Sequence, residues 1–404
     1  MRAWLGQLAL RVHPDLFQSR WRKEQLRIAA QALSSVAYAP LMSHPIRTSQ
    51  SPAESGRPTH VVVVPYEGEG FDSFRPGTRN FYYEAAQNLA ENIGAEHVSF
   101  FSVRRDEPVS QWQVRLADYV LQVRATHLLT HIEADPGSEG EEWHWEIWWK
   151  GMAERWDGVL LGVMFDSAFE WITAKSRLLA RISPRFLAVD ICMPLDGQLV
   201  RGRPEVGPVN MPVSRESLDL VQRRIAGIEP SHDVSFIGAL YPYRVQMLDR
   251  LRALGVRVIV NPHRSDSTAD FHESRANQPS WLDYMAGLAG SHMTINFSRS
   301  SAGPFEQLKT RVLEATLAGT VLLTDDKDRT RLFFEPEREF VSFTSLDDLP
   351  RVVAELLADP QRLASIKSAG AKRAKALAHV NFWDGIQGGL RARHLPLIWT
   401  DRPI

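Results

Sequence analysis

Short apolar runs rich in β-branched residues alternate with helix-length amphipathic stretches along most of this chain. Residues 61–64 precede 79–93, 98–103 precede 108–123, 126–132 precede 141–154, and 159–165 precede a further helix. The extended runs lack polar alternation, as in strands buried on both faces of a parallel sheet covered by helices. The βαβα order therefore predicts a doubly wound domain. A second series starts after Pro230 with Val234-Ser235-Phe236-Ile237-Gly238, a strand ending at a glycine. It continues with a helix over 243–254, a strand over 256–260, a helix over 281–288, a strand over 293–297, a helix over 305–317, a strand over 320–324, and helices over 346–357 and 360–378. The fold class is thus α/β, with two Rossmann-like doubly wound domains, and no short-period repeat is present.

The expected organisation has a basic helical extension and linker over 1–58, one domain over 59–214, a second over 215–380, and a tail over 381–404 that packs back on the domains. Residues 48–59 are small, polar and proline-containing, and 198–212 are rich in Gly, Pro and Arg, which suits connections rather than core. The length of 404 residues fits two cores of roughly 150 residues each with extensions.

Lys and Arg total 47 against 48 Asp and Glu, so no basic field recruits nucleic acid and no acidic excess suggests a disordered chain. Hydrophobic residues at 44% supply a sizeable core. The single cysteine, Cys192, closes no intramolecular disulfide, which points to a reducing, cytoplasmic compartment. No signal peptide is recognised, and no uncharged apolar run approaches the roughly 20 residues of a spanning helix. The first 50 residues carry Arg2, Arg11, Arg20, Arg22, Lys23, Arg27 and Arg47 against Asp15 and Glu24. Such a segment suits either a solvated basic helix or peripheral contact with an anionic membrane at its inner face.

In open parallel sheets, ligands lie beyond the carboxyl ends of the strands, where helix N-termini present free N–H groups. Two such domains facing each other suit a reaction between two substrates, and equally a two-lobed binding protein. The segment Pro304-Phe305-Glu306-Gln307-Leu308-Lys309-Thr310-Arg311-Val312-Leu313-Glu314 is the most informative. On one helix, Glu306 and Glu314 would lie about 80° apart and border one ligand, with Lys309 and Arg311 between them. Carboxylates suit sugar hydroxyls and the cations suit a diphosphate, whereas i, i+3 ion pairs on an ordinary amphipathic helix explain the same spacing.

The pattern Lys-x-Arg-x-x-Glu-x-x-x-x-Gly-x-x-x-Leu-x-Asp from Lys309, followed by Leu332-Phe333-Phe334-Glu335-Pro336-Glu337-Arg338-Glu339-Phe340-Val341, by Asp347-Asp348-Leu349 and by Asp359-Pro360, resembles the carboxyl half of CgeB-like glycosyltransferases. These belong to the wider group-1 type, with two facing Rossmann-like domains, the GT-B fold. The resemblance extends upstream to Gly238-Ala239-Leu240-Tyr241-Pro242-Tyr243-Arg244 and covers roughly 232–380; in the first domain only the fold matches.

The resemblance implies a glycosyltransferase with a nucleotide-diphosphate sugar as donor substrate and no other cofactor. It places Glu314 at the donor ribose, Glu306 near the transferred sugar, Gly238 at the turn that admits the diphosphate, and Arg244 at the leaving group. Tyr241, Lys309 and Arg311 complete the implied donor site. The start of the glutamate pair, Glu306-Gln307-Leu308-Lys309, lacks the family's usual glycines.

Breaking a sugar–diphosphate bond places negative charge on the departing phosphate, so fixed cations are needed there; Arg244, Lys309 and Arg311 are the candidates. Asp325-Asp326 is read as the loop after a strand rather than as a metal motif, so no required metal is expected. A catalytic base is expected at the first domain's strand ends, where Asp166, His131 and Glu133 lie, though such residues also serve as helix caps. Glu67-Gly68-Glu69-Gly70 lacks nucleotide-fingerprint spacing. Among twelve tryptophans, Trp145, Trp148, Trp149 and Trp156 share a helical stripe that Trp143 leaves; core packing and an aromatic platform for a sugar or lipid-linked acceptor both fit. The acceptor is a glycan, a lipid or a small molecule. The alternatives are a 2-epimerase-like nucleotide-sugar enzyme and a nucleotide-sugar-binding protein without turnover.

Overall fold

A computed structural model describes residues 59–64, 75–78, 80–101, 109–132, 145–165, 167, 170–192, 206–238, 240–261, 280–299 and 306–399. The basic segment 1–58, the Glu67-Gly68-Glu69-Gly70 loop, Glu133, Trp143 and the candidate base Asp166 lie outside the described residues. By contacts, one unit holds the described residues of 59–64, 89–209 and 383–399, and the other those of 75–88 and 210–382. The second unit thus takes a segment from early in the chain, and the C-terminal residues belong with the first.

The first unit follows the order β1 (Val61–Val64), α1 (Phe81–Ile93), β2 (Val98–Phe100), α2 (Val109–Gln122), β3 (His127–His131), α3 (Trp145–Ala153), β4 (Val159–Met164), α4 (Glu170–Ile182) and β5 (Phe186–Asp190), with α1 reaching into it only from Leu89. Its sheet is parallel throughout, in the order β2-β1-β3-β4-β5. Every residue of β1, β4 and β5 is buried, which is why β1 and β4 read as continuous apolar stretches.

Trp145, Trp148, Trp149 and Trp156 sit in the core of this unit, each at most 3% exposed. Three of their indole N–H groups are satisfied internally: Trp148 donates to Gln113 O at 3.0 Å, Trp149 to Leu179 O at 3.2 Å and Trp156 to Ala125 O at 2.7 Å. These rings are spent on packing, and the platform alternative is overturned for them. Near the sheet's amino edge, His127 Nε2 lies 2.9 Å from Pro396 O, tying the C-terminal segment to β3.

The second unit contains α5 (Arg215–Ile225), β6 (His232–Phe236), α6 (Pro242–Ala253), β7 (Val258–Val260), α7 (Trp281–Ala289), β8 (Ser291–Asn296), α8 (Arg311–Leu317), β9 (Val321–Thr324), β10 (Val341–Ser342), α9 (Leu349–Ala358) and the start of α10 (Pro360–Ala392). Its sheet order, β10-β9-β8-β6-β7, repeats the topology of the first, again wholly parallel. Ser214 caps α5 by accepting from Ser217 N, and the buried Glu84 carboxylate accepts from Ser214 N at 2.7 Å and Ser217 Oγ at 2.5 Å. A carboxylate at a helix N-terminus meets unpaired N–H groups and the positive end of the helix dipole.

Two expected elements are corrected. The helix expected over 305–317 begins only at Arg311, because Glu306 pairs with Arg299 as an isolated antiparallel bridge and Gln307 N donates to Ser298 O at 3.2 Å. The last helix runs on past 378 to Ala392 through Gly385 and Gly389. A Cβ at either would meet Val209 or Val206 at 2.7 Å or less, so these glycines admit close backbone approach inside the helix.

Candidate anion site at the carboxyl edge of the second sheet

Strand order in the second sheet reverses between β6 and β8, so the chain leaves the carboxyl ends of these neighbours in opposite directions. Crevices at such points are where open α/β sheets hold ligands. After β6 come Ile237 and Gly238, then Tyr241 at the N-cap of α6, with Pro242 at its first turn. After β8 come Phe297, Ser298 and Arg299. The N-terminus of α8, carrying Arg311, completes the group.

Phe236, the last residue of β6, is the floor. Its buried ring meets Phe297 at 5.5 Å between centroids, and two guanidinium carbons lie over it, Arg311 Cζ at 5.1 Å and Arg244 Cζ at 5.6 Å. Arg244, 6% exposed, donates from Nε to Tyr243 Oη at 2.9 Å and from Nη2 to Arg299 O at 2.9 Å, and lies 4.6 Å from the Tyr241 ring centroid. Tyr243 Oη in turn donates to Arg299 O at 3.2 Å. Burial raises the Tyr243 hydroxyl pKa against the opposing charge of Arg244, so the phenol stays a donor. The segment following β8 is therefore clamped onto α6 by an arginine and a tyrosine.

Arg311 is the unusual member. Its Nε is buried and has no hydrogen-bond partner, although Tyr284 and Glu314 lie close enough to favour the charged form. Burial, the largest influence, pushes its pKa down from the ordinary arginine value, and the neighbouring charge of Arg244 pushes the same way. Two guanidiniums sharing one aromatic floor, one with an orphaned donor, suit an anion with several oxygens.

Glu314, 3% exposed, lies one turn into α8; its Oε1 accepts from Trp281 Nε1 at 3.3 Å and its Oε2 from Tyr284 Oη at 2.9 Å. Gly238 adopts φ +140°, which favours glycine. Its N–H donates to Asn261 Oδ1 at 2.8 Å and its carbonyl accepts from Asn261 Nδ2 at 3.3 Å.

The structure thus gathers Gly238, Tyr241, Arg244, Arg311 and Glu314 at one edge. Lys309 and Glu306 precede α8 rather than riding on it, so the 80° helical relation between Glu306 and Glu314 does not hold. The Glu306 carboxylate accepts from Ser298 Oγ. His131 belongs to the other unit, where it ends β3 and stacks on Phe165 with centroids 5.8 Å apart.

Sequence reasoning missed Arg299, Asn261 and the pair Asn296 and Asp328. Arg299 is exposed, with Cζ 5.6 Å from the Tyr243 ring centroid. Asp328 is 1% exposed, accepts from Asn296 Nδ2 at 3.0 Å and from Thr330 Oγ1 at 2.7 Å, and burial pushes its pKa up to about 7. No motif marks Arg299, Asn261 or Asn296; for Asp328 the strand-end run Thr324-Asp325-Asp326-Lys327-Asp328, which holds an Asp-x-Asp spacing, was the available signal. Among the described residues, no group of three or more His, Cys, Asp or Glu side chains could hold a metal ion.

Fold and site define an α/β protein with two parallel sheets and two arginines over one aromatic floor at the carboxyl edge of the second. Residues 244–382, about a third of the chain, match a family model described as glycosyl transferase-like. Solved structures with similar chain courses include a sucrose-phosphate synthase from Thermosynechococcus elongatus, at 12% identity and TM-score 0.48, covering 83% of this chain and 98% of that one. Anabaena HepE in complex with UDP-glucose is similar at 13% identity and TM-score 0.46, covering 82% and 98%. A Listeria monocytogenes UDP-N-acetylglucosamine 2-epimerase is similar at 10% identity and TM-score 0.40, covering 79% and 94%. No curated protein sequence matches the chain.

Proposed function

We propose that this protein is a glycosyltransferase that moves a sugar from a nucleoside-diphosphate donor to an acceptor, with the second unit holding the donor and the first the acceptor. The observation that carries the reading is the half-buried Arg311, its Nε buried and unpartnered, beside Arg244 at the topological reversal of the second sheet. The match of 244–382 to a glycosyl transferase-like model supports it, and the CgeB-like group is the finer assignment favoured by the motifs.

In this reading the diphosphate lies against Arg311 and Arg244, with Lys309 and Tyr241 at the margin, and Glu314 takes ribose hydroxyls. As the glycosidic bond to phosphate lengthens, negative charge grows on the leaving oxygens. Cations fixed by Phe236, Tyr243 and the Arg299 carbonyl meet that charge without reorganising. These arginines do the work a metal does elsewhere. Glu306, held by Ser298, is placed near the transferred sugar, and His131 and Asp166 are the acceptor-side candidates for proton removal. The protein works in the cytoplasm, and the basic segment before residue 59 provides peripheral contact with an anionic membrane; none of the described helices is long and apolar enough to cross one.

The test is incubation with UDP-, GDP-, ADP- and TDP-sugars, with and without chelator, following donor hydrolysis and transfer to a mixed acceptor pool. Chelator-resistant donor cleavage is expected. Binding without cleavage would replace the reading with a sensor, and epimer formation without acceptor with a 2-epimerase.

A further inference from the structure

The turn at Gly238 does not offer its backbone to a phosphate, because its N–H and its carbonyl are both taken by the Asn261 amide at 2.8 and 3.3 Å. What the glycine leaves room for is a side chain. A Cβ at this position would stand 2.6 Å from Arg311 Nη2, closer than real contacts allow. Asn261 is itself fixed: it is 4% exposed, adopts φ +44°, and donates its own N–H to Phe236 O at 2.8 Å. Asparagine is among the residues that tolerate this left-handed conformation, and its side chain carries the donor and acceptor needed to clasp a peptide unit from both sides.

We infer that Asn261 and Gly238 are positioning residues for Arg311: Asn261, at the end of β7, locks the turn after β6 in the conformation whose missing side chain lets the Arg311 guanidinium lie over Phe236 and face a diphosphate. This rests on the donor-binding reading above. It assigns to Asn261 a role that no motif marks, and it changes that of Gly238 from contacting the ligand to seating the cation that does.

Asn261→Ala removes both clasping bonds and frees the turn, and Gly238→Ala puts a methyl group against Nη2. Each should weaken inorganic pyrophosphate and UDP binding to the full-length protein by about tenfold or more, the scale of a lost charge-assisted bond. A merely structural role would also lower thermal stability, so the deciding readout is coupling. In an Arg311→Lys background the colliding Nη2 is gone, and Gly238→Ala should then change the pyrophosphate Kd several-fold less than in wild type, because only the backbone strain at φ +140° is common to both backgrounds. Calorimetric titration of wild type, Gly238→Ala, Arg311→Lys and the double variant gives the cycle, with circular dichroism confirming that each is folded. Asn261→Ala replaces Gly238→Ala in the same cycle should the latter fail to fold.

An equal effect of Gly238→Ala in both backgrounds, or none in either, would overturn the positioning role while leaving Arg311-dependent binding intact. Wild type that binds neither pyrophosphate nor UDP, or binding indifferent to Arg311→Lys, would overturn the donor-site reading itself and this inference with it.

Discussion

Tyr284 donates its hydroxyl to Glu314 Oε2 at 2.9 Å, joining α7 to α8 through a carboxylate that Trp281 also holds from its other oxygen. Glu314 is thereby fixed in orientation before any ligand arrives. Preorganisation of this kind reduces what binding must spend on ordering side chains.

If Glu314 takes ribose hydroxyls, Glu314→Ala should reduce nucleoside-diphosphate affinity by about 1 to 3 kcal/mol, whereas pyrophosphate, which has no ribose, should bind as before. Tyr284→Phe should cost less, under about 1.5 kcal/mol, because the hydroxyl only orients Glu314, which Trp281 still holds. Calorimetry with both ligands checks this, and equal losses for the two would place Glu314 at the phosphates instead.

Asp328 gives the second unit a pH dependence of definite sign. Its folded pKa of about 7 lies above the ordinary aspartate value of 3.8, so the folded form holds a proton that the unfolded chain releases. The corresponding stability is fully present below about pH 4 and is lost as pH rises through about 7. Asp328→Asn keeps an acceptor for Thr330 and carries no charge, so it should raise the thermal midpoint above pH 7 and flatten the slope between pH 4 and 7. A variant with the wild-type slope would place the titration elsewhere.

His127 acts in the opposite direction on the first unit. Burial lowers its pKa from 6.5 to about 4, against the raising effect of the Pro396 carbonyl. Its contribution is present above about pH 6.5 and is lost as pH falls through about 4, when the buried ring must charge. Limited proteolysis of the C-terminal segment, followed from pH 7 to 4, should accelerate at the acid end. A His127→Gln variant should lose that acceleration.

Trp148→Ala or Trp149→Ala should destabilise the protein by about 3 to 5 kcal/mol, as for other large-to-small changes in a packed core. Trp148→Phe should cost less and leave the acceptor KM unchanged. A raised KM with unchanged stability would restore the aromatic-platform role.

The double α/β architecture was legible because its buried parallel strands are almost uninterrupted apolar runs, such as Val61–Val64 and Val159–Met164. Gly238 and Arg311 were legible as types, through a glycine at a strand end and a cation beside a glycine-stopped helix. What those residues do was not. The helix over 305–317 fails at its start because Glu306 and Gln307 pair with 298–299, a contact between segments that helical periodicity cannot register. The strand β10 has two residues and leaves no period. Asn261 and Asp328 were invisible for a related reason: each acts through partners more than twenty residues away in sequence or through burial, neither of which a local pattern encodes.

The central claim is that the guanidinium pair of the buried Arg244 and the half-buried Arg311 on the second sheet grips a nucleoside diphosphate. Calorimetric titration of UDP, GDP, ADP and TDP into wild type and Arg311→Gln tests it most directly. At least one nucleotide should bind the wild type, and Arg311→Gln should weaken it by about 2 kcal/mol or more, roughly thirtyfold. Wild-type affinity retained in Arg311→Gln, or no binding of any of the four, would contradict it.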